Sequence, residues 1–275
     1  MELGDRMKMY EMAEAGRKAT PLLPLCVRLD GRSFHSWTKD LERPHDEVFC
    51  ALMQDATKML VEETNARVGY TQSDEISLVL YSDNIESELF FDGKFHKINS
   101  VCASLASSYF NMWAKESMGL RPIATFDCRS WNVPNLEEAA NAILWREEDA
   151  TRNSVSMAAR SMYSHQQVQN KKRSDLHEMM HQKGKNWNDY PDCFKRGSYF
   201  RRVTRSLPLT PEQLAKIPKA NRPEPGTLYE RSIVERVAMP PLSTVTNKVG
   251  CLFMGYSPLP IMPAGDKDAA KKLVP

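Results

Sequence analysis

Gly69-Tyr70-Thr71-Gln72-Ser73-Asp74-Glu75-Ile76-Ser77-Leu78-Val79-Leu80 sets two short β-type runs on either side of a polar triplet. Ile76, Leu78 and Leu80 recur at every second position, so the stretch reads as a hairpin with Ser73-Asp74-Glu75 at its tip. Upstream, the apolar run Leu22–Leu29, entered past Pro21 and Pro24, closes abruptly in Asp30-Gly31-Arg32. That pattern is a buried strand delivering a carboxylate to a turn. From Val48 to Leu60, the residues Phe49, Leu52, Met53, Ala56, Met59 and Leu60 repeat at helical spacing, which predicts a core-facing helix between the two strand signals. Downstream of the hairpin, Ile98, Val101, Cys102, Leu105, Ala106, Tyr109, Phe110 and Trp113 hold that spacing for four turns, and Ile123–Trp131 reads as a further strand. The succession strand, helix, strand, strand, helix, strand is a split βαββαβ arrangement of the ferredoxin-like kind. It predicts an α+β fold, an antiparallel sheet with two helices on one face.

Residues 1–19 read as a charged, frayed helix, and Leu136–Tyr163 as helical with a polar interruption around Asp149–Ser154. Asn170–Asn188 is polar and rich in Lys and His. Arg196–Ser206 reads as a strand and Tyr229–Val237 as its hairpin partner. Between them Leu207–Gly226 carries Pro208, Pro211, Pro218, Pro223 and Pro225, which predicts a loop without an element of its own.

A chain of 275 residues with 41% hydrophobic and 26% charged residues is ordinary globular material, which excludes disordered and fibrous classes. Its 37 basic against 35 acidic residues leave +2, too little to coat nucleic acid by bulk charge, though a local basic patch is compatible with it. No apolar run approaches the length of a membrane span, and the charged opening has no signal-like apolar core. The six cysteines are scattered with no CxxC pair, which fits reduced thiols and a cytoplasmic location.

Asp30 and Asp74 approach one another if their strands are neighbours. Two adjacent carboxylates repel, and a divalent cation between them relieves the repulsion. Glu75 reads either as a third acidic ligand or as support for the other two; equally, Asp-Gly is a turn signal and the triplet a plain hairpin tip. Arg32, His35, Lys39, Arg43 and His45 follow the first acid and suit a polyphosphate, or form a solvated charged loop. His177-Glu178-Met179-Met180-His181 matches the HExxH zinc-peptidase pattern, an alternative function weighed against a solvated basic helix. Lys195, Arg196, Arg201, Arg202 and Arg205, interleaved with Tyr199 and Phe200, read as a basic, partly aromatic strand surface for RNA phosphates, which by itself allows a non-catalytic RNA-binding module. The marks of P-loop ATPases, Rossmann dehydrogenases and α/β-hydrolases are absent from the sequence.

Taken in order, Val27-Arg28-Leu29-Asp30-Gly31-Arg32-Ser33-Phe34-His35, Arg43-Pro44-His45-Asp46, Gln72-Ser73-Asp74-Glu75, Ala103–Tyr109, Phe126-Asp127-Cys128-Arg129, Trp145–Asp149 with Asn153, and Phe194-Lys195-Arg196-Gly197 resemble the tRNA(His) guanylyltransferases and their template-dependent 3′-to-5′ polymerase relatives. The resemblance spans about residues 22–200. It implies a polymerase palm-like catalytic domain over 1–165, with a basic, tRNA-contacting C-terminal region of helices and a β-hairpin over 166–275. It also implies a Mg²⁺-dependent nucleotidyltransferase that adds GTP or other NTPs to the 5′ end of tRNA, for tRNA(His) guanylylation or 5′-end repair.

In that family a 5′-monophosphate RNA is first activated with ATP, and the incoming nucleotide's 3′-hydroxyl then displaces the activating group. By the resemblance, Asp30, the Gly31 carbonyl and Asp74 hold two Mg²⁺ ions, with Asp30, Asp74 and Glu75 catalytic. Gly31, Arg32, Ser33, Phe34, His35, Arg43, Asp46, Ser73, Lys97 and Asn153 correspond to nucleotide-binding positions. Lys195, Arg196, Arg201, Arg202 and Arg205 are expected to meet tRNA, and a homotetramer is expected. Where eukaryotic members carry His-Ile-Asn-Asn this chain reads Thr151-Arg152-Asn153-Ser154, and the Lys of their Lys-Pro-Asn-Asp is Arg43. Loss of that His sets it nearer the bacterial, archaeal and phage-like branch, while Arg43 keeps the charge but not the point-like ammonium. Leu207–Gly226 has no counterpart in the family pattern.

Overall fold

The computed structural model describes residues 1–261 except Pro225. Pro225 and the end of the 166–275 region beyond residue 261 therefore lie outside the described residues. The helices are α1 (Leu3–Ala15), α2 (Phe34–Trp37), α3 (Glu47–Thr64), α4 (Phe95–Met118), α5 (Leu136–Arg160), α6 (His165–Val168), α7 (Arg173–Gln182), α8 (Asp192–Lys195) and α9 (Pro211–Lys216). The strands are β1 (Leu25–Gly31), β2 (Val68–Gln72), β3 (Glu75–Leu80), β4 (Phe126–Asn132), β5 (Ser198–Pro208) and β6 (Leu228–Val237). They form one antiparallel sheet in the order β4-β1-β3-β2-β5-β6. The first four strands with α3 and α4 are the expected split βαββαβ unit.

Alternation along β1 and β3 divides two cores. Leu25, Val27, Leu29, Ile76, Leu78 and Leu80 face α3 and α4, whose Leu52, Ala56, Leu60, Ile98, Cys102 and Phe110 are buried against them. Cys26, Val68, Tyr70 and Val79 face the other way, against Ala139, Ala140 and Ile143 of α5. Helices thus cover both faces: the crossover pair takes one as expected, and α5 takes the opposite one. Asp46 starts α3 by accepting the Phe49 amide at 2.8 Å, and Asn135 starts α5 by accepting the Glu138 amide at 2.9 Å.

Four sequence expectations need correction. Helix α5 is unbroken through Asp149–Ser154, because the polar residues there form a stripe on a continuous helix and do not interrupt it. Strand β4 begins at Phe126 rather than Ile123: the Asn111 side chain satisfies both backbone groups of Ala124 (2.7 and 2.8 Å), taking the place of a strand partner, and Ile123 is exposed. The proline-rich stretch is not all loop, since β5 runs to Pro208 and α9 follows with Thr210 as N-cap, Pro211 in the first turn and Gln213 completing a capping box. Finally, Tyr199 and Phe200 do not lie on a surface. β5 sits between β2 and β6, and both rings are buried, one in each core. No described helix is long and apolar enough to cross a membrane.

Candidate active site

Strand β1 ends where Asp30 stands opposite Glu75 of β3 on one side and Asp127 of β4 on the other. The Gly31 amide donates to the Asp74 carbonyl at 3.0 Å, which ties the strand end to the β2–β3 turn. Gly31 is required here: a Cβ would stand 2.4 Å from the Phe34 ring, which is packed into the aromatic cluster of Trp37, Phe49, Phe110 and Phe126. The turn itself passes through Ser73 at φ 49°, whose hydroxyl donates to Asp74 Oδ1 at 3.0 Å. Burial raises the Asp74 carboxyl above its ordinary range and the facing Asp30 adds to the rise, against the pull of Ser73, its own backbone amide and His35. Among the described residues Asp30 accepts no side-chain hydrogen bond. The two acids therefore keep oxygen lone pairs turned toward one space.

Glu75 has a different environment. Arg146 Nε of α5 donates to its Oε1 at 2.5 Å and Arg28 Nε lies 3.9 Å from Oε2. Burial raises its carboxyl, and the two guanidinium groups oppose that rise. Arg146 also reaches Asp149 (3.0 Å), which accepts from Asn153 at 3.2 Å and Arg152 at 3.1 Å. Glu75 is thus committed to clamping α5 onto the sheet beside the acid pair.

A cleft of about 480 Å³ opens in front of these groups. Of the sequence-derived candidates, Asp30, Arg43, Asp46, Ser73, Asp74, Glu75 and Asn153 line it. Exposed His35 stands near enough to act on the Asp74 charge. Arg43 is held by Thr38 O at 2.8 Å, and Asp46 spends its carboxylate as the α3 cap. Gly31, Arg32, Ser33, Phe34 and Lys97 are not in the lining; Phe34 is a core ring and Lys97 lies over Phe91 on α4. Sequence reasoning missed Arg146, Asp149 and Arg160 as cleft residues. Their signal was present, since 146, 149, 153, 157 and 160 follow one helical face.

The expected basic strand is divided, with Lys195 in α8 and Arg196 at its C-terminus and only Arg201, Arg202 and Arg205 on β5, and these cations are largely engaged by the chain itself. Lys195 is buried and donates to Asn188 O at 2.7 Å, and Arg196 pairs with Asp192. Arg201 donates to Cys251 O (2.7 Å), Arg202 to Val61 O (2.7 Å), and Arg205 pairs with Glu235 (2.8 Å). On α7, Leu176 and Met180 face the core, and the His177 ring meets Trp187 edge-on at 5.7 Å. Burial lowers the His177 pKa. His181 and Glu178 are exposed, and no group of three or more His, Cys, Asp or Glu side chains among the described residues stands close enough to hold a metal, so the zinc-peptidase geometry is not formed.

The metal expected at the acid pair is Mg²⁺, and the residues fit it. The donors are hard carboxylate oxygens side by side: among the described residues Asp30 accepts no side-chain hydrogen bond, and Asp74 accepts one, from Ser73, besides its own backbone amide. Two protein carboxylates suffice for an ion that completes its shell with water and phosphate oxygens.

The family model described as tRNA(His) guanylyltransferase matches residues 4–134. An uncharacterised protein of Acanthamoeba polyphaga mimivirus is 31% identical over 58% of this chain and 63% of its own length. A bacterial tRNA(His) guanylyltransferase-like structure solved with ATP shares 36% identity, covers 74% of this chain and 87% of that chain, and superposes with a TM-score of 0.69. A second, solved with GTP, shares 31% identity over 88% of this chain and 94% of that chain, with a TM-score of 0.68. The matching sequence motifs, palm-like sheet and acid pair lead to one assignment: the chain belongs to the tRNA(His) guanylyltransferase family.

Proposed function

We propose that this protein is a nucleotidyltransferase that extends the 5′ end of tRNA in the 3′-to-5′ direction, using GTP or another NTP and ATP for activation. The observation that carries this reading is the pair Asp30 and Asp74, without an ion-pair partner among the described residues, at a cleft that also presents Arg43, Arg146, Arg160 and Asn153. Asp30, Asp74 and the Gly31 carbonyl would hold two Mg²⁺ ions. Bound there, Mg²⁺ supplies neutralisation of triphosphate charge and polarisation of the phosphate under attack. Arg43 and Asn153 orient the nucleotide in the cleft, with Ser73 and His35 near the acid pair. Glu75 acts through Arg146, holding α5 so that its polar stripe faces the same space. The 3′-hydroxyl oxygen of the nucleotide forms the new bond to the 5′ phosphorus, and the bond to the activating group breaks.

Arg205 on β5 and Arg196 at the end of α8 are the cations that would meet tRNA, with Lys195, Arg201 and Arg202 shaping the surface from within. Self-association, as a homotetramer by the family resemblance, is supported by α1, which buries none of its residues and exposes Met7, Met9, Tyr10 and Met12. A cytoplasmic setting agrees with six free thiols.

The test is direct. Asp30→Ala and Asp74→Ala should each abolish nucleotide addition to a 5′-truncated tRNA while circular dichroism and thermal unfolding stay close to wild type. Undiminished addition by both variants overturns the assignment of the acid pair.

A further inference from the structure

Two cysteines that the reaction does not use share a wall of the same cleft. Cys50 lies in the first turns of α3, and Cys193 lies in α8, 143 residues later. Both are partly exposed, both line the cleft, and the two thiols act on one another as neighbours, with the His45 ring, just before α3, 5.6 Å from the ring of Phe194, which follows Cys193. Gln54 Nε2 donates to Cys50 Sγ at 3.1 Å, and His45 stands near enough to act on the Cys193 thiol. We propose that Cys50 and Cys193 form a peroxide-sensitive modification site, oxidised by a hydroperoxide to a disulfide that ties α8 to α3 across the cleft wall.

Two further observations support it. Hydrogen bonds from Cys50 and His45, with the charge of His45, hold the Cys193 thiol well below the ordinary range, whereas Cys50 is raised by its hydrogen bond to Cys193 and by burial. One partner is therefore the nucleophile and the other the resolving thiol. The chain also contains its own control: Cys102 and Cys128 are likewise neighbours, but Cys102 is fully buried, and Cys128 is raised by Cys102, burial and Asp127 against the pull of Arg129.

The chemistry balances. The Cys193 thiolate sulfur attacks a peroxide oxygen, the O–O bond breaks, and hydroxide leaves and takes the His45 proton to become water, giving a sulfenic acid. The Cys50 sulfur then attacks the sulfenic sulfur and the S–O bond breaks. The departing hydroxide takes the Cys50 proton, so two thiols and one hydrogen peroxide give one disulfide and two waters. Closing the bond shortens the sulfur contact to about 2.05 Å and so draws α8 toward α3 beside Asp46.

Reduced full-length protein treated with hydrogen peroxide, blocked with N-ethylmaleimide and digested without reductant should yield a Cys50–Cys193 crosslinked peptide that dithiothreitol removes. Cys50→Ser should instead leave a dimedone-reactive sulfenic acid on Cys193, and His45→Gln should slow crosslinking about tenfold. Cys102 and Cys128 should stay reduced. Cys50 and Cys193 remaining as alkylatable thiols, or Cys102–Cys128 oxidising first, would overturn the proposal.

The functional arm rests on the nucleotidyltransferase reading: crosslinked protein should lose at least fivefold in nucleotide addition and regain it with dithiothreitol. Crosslinking in a protein whose reduced form adds no nucleotide leaves the modification site standing and counts against the nucleotidyltransferase reading alone.

Discussion

Asp30 and Asp74 can serve as ligands because among the described residues neither has an ion-pair partner and only Ser73 donates a side-chain hydrogen bond to either, and the neighbouring acids show the contrast. Glu75 sits one residue from Asp74 but is neutralised by Arg146 and Arg28, and Asp46 is used as a helix cap. Glu75 also sits at a strand end, so it is the cationic partner, more than position, that decides which carboxylate stays available. The Glu75–Arg146 pair is buried, with side chains 7% and 11% exposed, so removing one member strands a charge. Arg146→Met should lower unfolding free energy by about 3–5 kcal/mol, read from denaturant midpoints. A loss below about 1 kcal/mol would mean that the pair is not clamping α5. The positions of Asp30 and Asp74 were legible in the sequence because strand endings and turn residues leave local marks. The isolation of Glu75 was not, since its partner lies 71 residues away on another element.

Helix α5 carries the site's second half, and its behaviour depends on what holds it. On one side it packs on Tyr70 and Val79; on the other Arg146, Asp149 and Asn153 line the cleft. Glu147, buried between the two, accepts the Tyr199 hydroxyl and the Leu242 amide (3.1 Å), linking α5 to β5 and to the segment after β6. Burial raises the Glu147 carboxyl, and the Tyr199 and Leu242 donors only partly oppose it. A carboxyl whose folded pKa is raised favours folding in its protonated form. Its contribution is full below the unfolded glutamate range and is lost as pH rises through the folded value. The stability advantage of wild type over Glu147→Gln should therefore be largest in acid and shrink toward neutrality, as thermal melts across that range will reveal. An advantage that grows with pH contradicts the burial argument. The sequence signals the existence of α5 well and its continuity poorly. A polar stripe in a charged helix reads the same whether it faces water or a cleft, and only the fold distinguishes the two.

Across the whole molecule the near-zero net charge conceals a division: acids gather at the ends of β1 and the β2–β3 turn, while Arg196, Arg201, Arg202 and Arg205 gather at β5. The split βαββαβ core follows from strand and helix periodicity alone. The six-stranded continuation through β5 and β6 depends on long-range pairing with β2, which no local pattern encodes. If β5 meets tRNA, affinity should fall steeply with salt, and Arg205→Ala should weaken binding to all tRNAs alike and reduce the salt slope by about one. An unchanged slope would place tRNA on another face.

The most direct test of the central claim uses a 5′-³²P-labelled, 5′-truncated tRNA incubated with the protein, ATP, Mg²⁺ and single NTPs, followed by phosphatase. Addition at the 5′ end buries the label in an internal phosphodiester, so wild type should render it phosphatase-resistant, and Asp30→Ala and Asp74→Ala should not. Label that stays fully phosphatase-sensitive with wild-type protein and every NTP would contradict the account.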